Sequence, residues 1–385
     1  MVKKGTFSLI DWLETHWTTP AFSGWLLGVL ALCFFGAATN TMAGWLYVLS
    51  GTILALLILS AILSVRSLSK IEVRRSPLNP VSAGDDLTVE VIIENKSKSP
   101  KTLLQILDIV PVVLDKPKNT AIEAIEPQGE HHWTYYLTTQ QRGVYHWHEV
   151  QLRSGSPLGL FWCRRSQEVP AKAVVYPQIL PLNHCPLIDT IGQEESDQKQ
   201  SDRRFQAASE GVTKALRPYR YGDPMRMIHW RTSAKYDEFQ VRELEVVTGG
   251  EDIIICLDSG SVWKDNSFEQ AVIAAASLYF YASRAQLNVK LWTAKTGLIY
   301  GNRTVLETLA AVNSEEDNKE HILPKIPLIW ITENTASFEH LPLGSRWLLF
   351  PQEAEKIPSF LGQTLRGLVI SSEQSLQNQL QKIPQ

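Results

Sequence analysis

Oxygen-bearing side chains follow an apolar run at 252–258, and their chemistry is that of a cation site. The run predicts a buried strand of a parallel sheet, and open sheets bind ligands at the carboxyl ends of their strands. Carboxylate and hydroxyl oxygens at such an end suit a hard cation such as Mg²⁺. The predicted metal-binding residues are Asp258, Ser259, Ser261 and Thr293, with Glu333 near the end of a further predicted strand. Helix capping and turn formation by the same residues is the alternative interpretation.

Sequence motifs of the common catalytic sites are not found. The segment Asp-Ser-Gly-Ser-Val-Trp after the strand matches neither a Walker A loop nor the G-x-G-x-x-G fingerprint of dinucleotide-binding proteins. No Ser-His-Asp nucleophile elbow is visible. A histidine metal site is disfavoured, because no carboxylate or cysteine is suitably spaced from His131, His132, His146 and His148. We therefore predict no catalytic residue, a non-enzymatic protein, and no cofactor other than the Mg²⁺ of the first hypothesis.

The segment 215–247 has the highest density of mixed basic, acidic and aromatic side chains in the chain. Three interpretations are open. The segment could be structural, with its arginines paired to carboxylates and Trp230 anchored in the core. It could be a docking surface for a protein partner, since Arg, Tyr and Trp dominate binding hot spots. It could bind nucleic acid, but its interleaved carboxylates oppose phosphate binding, and no nucleic-acid partner is expected for a chain of net charge −3.

The end of this segment predicts an edge strand. Residues 238–247 alternate in polarity, and Thr248, Gly249 and Gly250 provide a turn. The turn would pair this strand antiparallel with the apolar strand at 252–258. The segment is then the structural start of the following domain, and a partner-binding role would be built on that framework.

Two apolar runs near the N-terminus predict a transmembrane hairpin. Phe22–Ala38 and Met42–Val65 contain no charged residue, and about 20 apolar residues cross a bilayer. Thr39, Asn40 and Thr41 link them as a tight turn. A cleavable signal peptide is disfavoured because no short apolar core stands out. A buried soluble hairpin is disfavoured because two such uninterrupted runs are rare in soluble cores.

Basic residues flank the hairpin, and the connecting turn has none. The flanking residues are Lys3, Lys4, Arg66, Lys70, Arg74 and Arg75. The positive-inside rule then places both termini in the cytoplasm, so we predict a multi-pass protein of the cell (inner or plasma) membrane. Residues 1–20 form the N-terminal cytoplasmic segment, which is either a Trp-containing helix at the membrane surface or a frayed terminus.

The pattern after the hairpin (21–65) predicts two further domains. Residues 66–181 contain short strands of period-two alternation separated by turn signals, which indicate an all-β, sandwich-like region. Residues 182–209 are polar and charged and predict an exposed linker. Residues 210–385 alternate strands with helices, which indicates a doubly wound α/β domain. The four cysteines form no C-x-x-C pair, so a reducing compartment is the simpler interpretation.

A set of spaced residues in 217–243 forms a combined motif: Arg217, Pro218, Tyr219, Gly222, Asp223, Arg226, His229, Trp230, Ser233, Lys235, Arg242 and Glu243. This motif resembles the core signature of the domain of unknown function 58 family. Ser156–Phe161 and Val175–Pro177 are similar to other parts of that family's pattern. The layout is also similar, with two membrane spans, a β-sandwich-like region and a von Willebrand factor A-like domain. The resemblance covers nearly the whole chain.

The resemblance also concerns the predicted cation site. The family's A-like domain can carry the metal-dependent adhesion motif Asp-x-Ser-x-Ser at the end of its first strand. Asp258 matches the Asp, but Gly260 and Val262 stand at the two Ser positions, and Ser259 and Ser261 are one residue out of register. The signature departs as well, with a histidine at 229 where an acidic residue is more usual and a lysine at 235 where arginine is common.

The resemblance implies a membrane-anchored protein with no assigned enzymatic activity. Such proteins are often encoded beside MoxR-type AAA+ ATPases and are thought to act with them as chaperone or assembly partners. The predicted function is a scaffold or adaptor whose cytoplasmic A-like domain binds a protein partner, such as a MoxR-type AAA+ ATPase. The alternative is a divalent-metal-dependent adhesion or hydrolytic site at Asp258.

Overall fold

The chain folds as two units, which divide between Pro177 and Gln178. The structure is a computed structural model. It describes residues 14, 17–189, 212–219, 225, 228–236, 238–245, 252–317, 323–324, 326–342, 344–351, 366–371 and 373–383. The two units differ in class: the first combines apolar helices with antiparallel sheets, and the second contains a largely parallel sheet.

Unit 1 begins with a short strand and two long apolar helices. Strand β1 spans Thr19–Pro20, helix α1 spans Phe22–Thr41 and helix α2 spans Gly44–Ser67. Both helices are long and apolar enough to cross a membrane, which confirms the two predicted apolar helices. The turn between them differs from the prediction, because α1 continues through residues 39–41 and ends at Met42, whose left-handed φ of 53° reverses the chain.

Eight strands follow and form two sheets. They are β2 (Ile71–Arg75), β3 (Val81–Ser82), β4 (Asp86–Asn95), β5 (Lys101–Asp108), β6 (Lys118–Ile125), β7 (Glu130–Thr138), β8 (Gly143–Ser154) and β9 (Phe161–Tyr176). One sheet has the order β2-β4-β7. The other has the order β1-β9-β8-β5-β6, and β3 pairs in parallel with the end of β9. Because all pairs but one are antiparallel, each strand can bury one face and expose the other.

The two sheets of unit 1 share one hydrophobic core. Along β4 the buried residues Leu87, Val89, Val91 and Ile93 alternate with more exposed ones, and they cluster with Ile106 and Leu152 of the other sheet. This period-two burial confirms that the region is β-rich, as the alternation predicts.

A buried ion pair also joins the two sheets. The Asp108 carboxylate on β5 accepts bonds from Arg75 Nη2 and Tyr135 Oη at 2.7 Å each, and from Trp147 Nε1 at 3.1 Å. Arg75 and Tyr135 belong to the three-stranded sheet, whereas Asp108 and Trp147 belong to the other. The ion pair is fully buried, so both groups lose the free energy of hydration. The three donors to the carboxylate offset this cost.

Unit 2 contains a two-stranded sheet and a six-stranded sheet. Its elements are β10 (Val212–Pro218), α3 (Trp230–Tyr236), β11 (Gln240–Glu245), β12 (Asp252–Leu257), α4 (Asp265–Arg284), β13 (Asn288–Thr293), β14 (Gly297–Ile299), α5 (Asn302–Ala311), β15 (Leu328–Thr332), a 3₁₀ helix (Thr335–His340), β16 (Arg346–Leu349), β17 (Gly367–Val369) and α6 (Leu376–Leu380). The large sheet has the order β14-β13-β12-β15-β16-β17. All its neighbouring strands are parallel except β14, which is antiparallel to β13.

Strand β12 lies at the centre of the large sheet and is buried on both faces. Ile253, Ile255 and Leu257 pack into a core that includes residues of α4, α5 and α6. Ile254 and Cys256 pack on the other face with a cluster rich in tryptophan. Within the described residues, the helical segment on that second face is the 3₁₀ helix, whose Phe338 belongs to the cluster. Burial on both faces explains why this strand is a continuous apolar run.

Two sequence expectations change in unit 2. The predicted linker at 182–209 begins inside the unit, because Leu182, Cys185, Leu187 and Ile188 are buried in the core beside β12; residues 190–211 lie outside the described residues. The predicted pairing of the strand at 238–247 with 252–258 is wrong. Strand β11 pairs antiparallel with β10, while both edges of β12 are occupied by β13 and β15.

Candidate functional site

The Asp258 carboxylate lies at the carboxyl end of the large sheet, directly after β12. Its backbone N–H donates to Ile331 O of β15 at 3.0 Å, which extends the ladder by one residue. Its backbone carbonyl accepts a bond from Trp263 Nε1 at 2.6 Å, and this bond closes the loop that leads into α4. The position of the carboxylate is therefore fixed by the central strand on one side and by the loop at 259–264 on the other.

Two hydroxyl groups donate to the same oxygen of Asp258. Ser261 Oγ and Thr332 Oγ1 each lie 2.7 Å from Oδ2. The residue is 8% exposed, and burial raises the pKa of its carboxyl above the ordinary range, while the two hydroxyl donors act in the opposite direction. A carboxylate with two convergent hydroxyls is a set of hard oxygen ligands suited to a divalent cation.

The other two predicted metal ligands have partners of their own. Ser259 Oγ accepts the backbone N–H of Ala294 at 3.0 Å, and Thr293 Oγ1 bonds to Thr296 Oγ1 at 2.8 Å. These contacts stabilise the turn after β13, as the capping and turn interpretation expects. Of the predicted set, the structure therefore brings Asp258 and Ser261 together by a direct contact. The sequence reasoning missed Thr332, although it is the last residue of a predicted strand and lies on the neighbour of β12.

Glu333 lies beside the same loop. It is 3% exposed, and its Oε2 accepts the backbone N–H of Lys264 at 3.0 Å. Its Oε1 is buried and has no hydrogen-bond partner among the described residues. Across the described part of the chain, no group of three or more His, Cys, Asp or Glu side chains is placed to hold a metal ion. A cation at Asp258 would therefore depend on hydroxyl oxygens.

A second candidate site is formed by the signature segment. Strands β10 and β11 pair antiparallel, and Tyr219 N–H extends the ladder by donating to Phe239 O at 2.8 Å. Ile228 bridges to Val241, and both side chains are buried. The bridge places the start of α3 against β11.

Hydrogen bonds in the first turn of α3 hold this helix against β11. The buried Ser233 Oγ donates to His229 O at 3.1 Å and accepts Gln240 N–H at 2.9 Å. His229 Nδ1 lies 2.6 Å from Thr232 Oγ1. The signature residues His229 and Ser233 thus connect α3 to β11, which is a positioning role.

Aromatic side chains of this segment face solvent. Trp230 is 59% exposed and Phe239 is 54% exposed, with ring centroids 6.0 Å apart in an edge-to-face arrangement. The Tyr219 ring also packs edge-to-face with Phe239, with ring centroids 6.2 Å apart. We call these three residues the aromatic cluster. Their exposure contradicts the interpretation that Trp230 anchors the segment in the core.

The remaining signature residues are only partly described. Strand β10 includes Arg217 and Pro218, strand β11 includes Arg242 and Glu243, and α3 ends close to Lys235. Gly222, Asp223 and Arg226 lie outside the described residues. The predicted arginine–carboxylate pairs of this segment therefore stay predictions.

A polar cleft of about 420 Å³ lies on the second sheet of unit 1. Its basic end is occupied by Glu14, whose carboxylate lies 2.6 Å from Arg153 Nε and 3.8 Å from Arg164 Nη2. The Arg153 guanidinium also stacks 4.4 Å from the centroid of Trp162. Since these cations are neutralised within the chain, the cleft is better described as an ion-paired contact than as an anion site.

Comparisons with known proteins provide little functional information. No family model matches the chain. The uncharacterized protein YeaD of Bacillus subtilis (strain 168) is 26% identical over 210 residues, which are 53% of this chain and 51% of that protein. The chain thus spans about half the length of this curated relative.

Three similar solved structures each cover about a quarter of the chain. A CARDB domain of a Pyrococcus furiosus protein covers 26% of this chain and 94% of its own, at 14% identity and a TM-score of 0.19. A β-glucosidase of Listeria innocua covers 28% of this chain and 17% of its own, at 21% identity and a TM-score of 0.17. A late embryogenesis abundant protein covers 28% of this chain and 74% of its own, at 11% identity and a TM-score of 0.21.

Proposed function

We propose that this protein is a non-enzymatic, membrane-anchored scaffold that binds a protein partner through the aromatic cluster of unit 2. Helices α1 and α2 are the anchor, and unit 2 is a doubly wound, von Willebrand factor A-like domain in the cytoplasm. The resemblance of the signature segment to the domain of unknown function 58 family supports a MoxR-type AAA+ ATPase as the partner.

The surface of the two helices supports the anchor. They have 20 and 24 residues, close to the length that crosses the apolar part of a bilayer. Large apolar side chains such as Phe22, Leu32, Val48 and Ile58 are exposed along them. The buried positions of α1 are the small residues Gly24, Ala31 and Ala38. Small residues inside and large apolar residues outside are typical of helices packed together in lipid.

The strand order supports the class assigned to unit 2. A central strand with parallel neighbours on both sides, and one antiparallel strand at the edge, is consistent with the doubly wound arrangement. In that class the ends of the central strands form the usual binding region.

The exposed aromatic cluster is the observation that carries the proposal. Trp and Tyr are enriched among the residues that dominate binding free energy. They contribute most where a rigid surface presents them to the partner. Here the two-stranded sheet and α3 hold Trp230 and Phe239 in contact, so little side-chain entropy is lost on binding. The two aromatic rings pack against each other but stay half exposed. A protein partner can bury the remaining apolar surface.

A binding measurement on the full chain tests this proposal. The protein is inserted into lipid nanodiscs and immobilised, and the MoxR-type AAA+ ATPase of the same organism is passed over it with ATP or ADP. We expect saturable binding that Trp230→Ala weakens by roughly 30-fold, the effect of losing a hot spot of about 2 kcal/mol. Tyr300→Ala is the matched control, because Tyr300 is an exposed aromatic residue of the same unit outside the cluster.

Two results would contradict the proposal. Absence of binding by the wild-type protein with either nucleotide would remove the ATPase as partner. Equal weakening by Trp230→Ala and Tyr300→Ala would show that the aromatic cluster is not the docking surface.

A further inference from the structure

Three basic residues of unit 1 meet where helix α2 ends. Arg66 lies in the last turn of α2, Lys70 follows the helix, and Lys101 is the first residue of β5. The Lys101 ammonium lies 3.4 Å from Arg66 O. The positive charge of Lys70 is close enough to act on Lys101, whose pKa is lowered by burial and then by that charge. The charges of Lys70 and Lys101 therefore lie close together here, and Arg66 contacts Lys101 through its backbone carbonyl.

Among the residues that the structure describes, these cations have no opposite charge beside them. Among the described residues, no carboxylate oxygen lies within 4.0 Å of Arg66, Lys70 or Lys101. Several other cations of the sandwich do have such a partner; for example, Lys96 pairs with Glu72 and Arg75 pairs with Asp108. The three residues consequently form an uncompensated positive site within their unit.

Lys101 is the residue most in need of a partner. It is 6% exposed, although an ammonium group has three protons to donate. Its one acceptor among the described residues, Arg66 O, already receives Ser69 N–H at 3.1 Å and Ser69 Oγ at 2.7 Å. The carbonyl at a helix C-terminus attracts a cation, but it does not compensate a buried charge. An anion from outside the chain would satisfy the remaining protons.

The site lies at the level where α2 would leave a bilayer. Ser64 Oγ, in the last turns of α2, donates to Ser156 O at 2.9 Å, and Ser156 Oγ lies 3.1 Å from Thr102 Oγ1 on β5. These contacts join the end of the apolar helix to the strand that begins with Lys101.

Two exposed leucines lie at the same end of the sandwich. Leu103 follows Lys101 and Thr102 on β5, and its carbonyl accepts Gly155 N–H at 3.2 Å. Leu158 belongs to the turn that contacts both helices. Apolar side chains beside a group of cations match the boundary between acyl chains and headgroups.

We propose that Arg66, Lys70 and Lys101 bind the phosphate of an anionic phospholipid headgroup, with Leu103 and Leu158 in contact with the acyl boundary. The inference rests on the membrane anchoring of the proposed function. Its chemistry is that of a phosphate monoanion held by two ammonium groups and a guanidinium group. The bound lipid supplies the negative charge that the buried Lys101 lacks among the described residues.

Native mass spectrometry of the full chain tests the site. The protein is purified in a neutral detergent and mixed with phosphatidylglycerol or phosphatidylcholine at equal concentration. We expect preferential retention of phosphatidylglycerol, with Lys70→Gln and Lys101→Gln each weakening it roughly fivefold, as expected for one lysine at a lipid surface. Lys116→Gln is the matched control, because Lys116 is an exposed lysine in the loop between β5 and β6. Since Lys70 is exposed, its variant tests the site even if Lys101→Gln unfolds.

Each other outcome overturns a defined part of the inference. Equal retention of the two lipids, or unchanged retention in both lysine variants, rejects the site. Full displacement of the lipid by millimolar inorganic phosphate assigns it to a soluble anion instead. Failure of the protein to float with lipid vesicles rejects the anchor itself, whereas flotation without lipid preference rejects only the headgroup site.

Discussion

At the scale of single residues, the arrangement around Asp258 shows how a buried carboxylate is accommodated. Ser261 comes from the loop after β12 and Thr332 from the end of β15, and both donate to one oxygen. Burial nonetheless disfavours the charged form by more than these donors favour it, so the pKa of the carboxyl is raised. A bound divalent cation would reverse this preference by compensating the ionised form.

The raised pKa predicts a pH-dependent stability that Asp258→Asn abolishes. The folded-state pKa is above the unfolded value of about 3.9. The contribution of this carboxyl to the free energy of unfolding is therefore fully present when the pH is below the unfolded-state pKa. It is lost as the pH rises through the folded-state pKa. Asn keeps an oxygen that can accept both hydroxyl bonds and carries no charge. We expect the variant to unfold about 2 °C or more above wild type at pH 7, with the difference vanishing near pH 4.

Thermal unfolding of the full chain between pH 4 and pH 7 measures this difference, and the same series with millimolar Mg²⁺ tests the divalent-metal alternative. A cation site at Asp258 would raise the wild-type midpoint and leave Asp258→Asn unchanged. A lower midpoint for the variant at pH 7 without metal would show that the ionised carboxylate is the stabilised form, contrary to the prediction.

At the scale of elements, the turn between β8 and β9 connects the sandwich of unit 1 to its helices. Leu160 O accepts Ala21 N–H at 2.8 Å, Gly159 O accepts Ser23 Oγ at 3.1 Å, and Ser156 O accepts Ser64 Oγ at 2.9 Å. The backbone of α1 approaches the turn so closely that a Cβ at Gly24 would overlap Leu160 O. Glycine is required there for close packing.

Gly24→Ala should therefore weaken the contact between α1 and the turn. We expect a loss of about 1–3 kcal/mol in the stability of unit 1, the usual effect of overpacking a contact that cannot relax. Gly36→Ala is the matched control, because a Cβ on Gly36 of the same helix meets no atom within 4 Å. Thermal unfolding of both variants in detergent checks this. Equal midpoints would mean that the helix can move away from the turn without cost.

Helices and strands were easier to predict from the sequence than the pairing between strands. The apolar runs of α1, α2 and β12 are long or buried on both faces, so composition alone identifies them. The partner of β11 could not be found in this way, because β10 lies upstream across α3 and the pairing depends on non-local contacts. Strand β6 carries a weak sequence signal because it lies at a sheet edge and places only Ile122 and Ile125 in the core.

The candidate sites show the same limit. Asp258 and Ser261 are close in sequence and could be proposed from spacing, whereas Thr332 is 74 residues away from Asp258 and its contact requires the strand order. The exposure of Trp230 could not be predicted, because hydrophobicity alone suggests burial for a large aromatic residue. Lys101 gave no sequence signal, since its burial results from the way α2 and β5 meet.

At the scale of the whole molecule, the distribution of basic residues around α1 and α2 determines the expected orientation in a membrane. Arg66 lies in the last turn of α2 and Lys70 follows the helix, whereas the turn between the helices carries no charge. The positive-inside rule then predicts that unit 1's sandwich faces the cytoplasm and that the turn at 42–43 faces the opposite side.

Cysteine labelling of intact cells tests this orientation. In a Cys33→Ala background, Ala43→Cys should react with a membrane-impermeant maleimide from outside, and Lys116→Cys should react only after permeabilisation. The three other cysteines are buried, so background labelling is low. The reverse labelling pattern would invert the topology, and labelling of both positions from outside would contradict a membrane-spanning hairpin.

The pairing of β1 with β9 has a consequence for biosynthesis. Thr19 pairs with Trp162, and Pro20 pairs with Phe161. At ribosomal rates of about 5–20 residues per second, β9 leaves the ribosome roughly 7–30 s after β1. The helices that follow β1 can insert into a membrane during that interval. If the two helices form the proposed membrane anchor, insertion would precede closure of the sheet, and β9 would then pair with a strand that is already anchored.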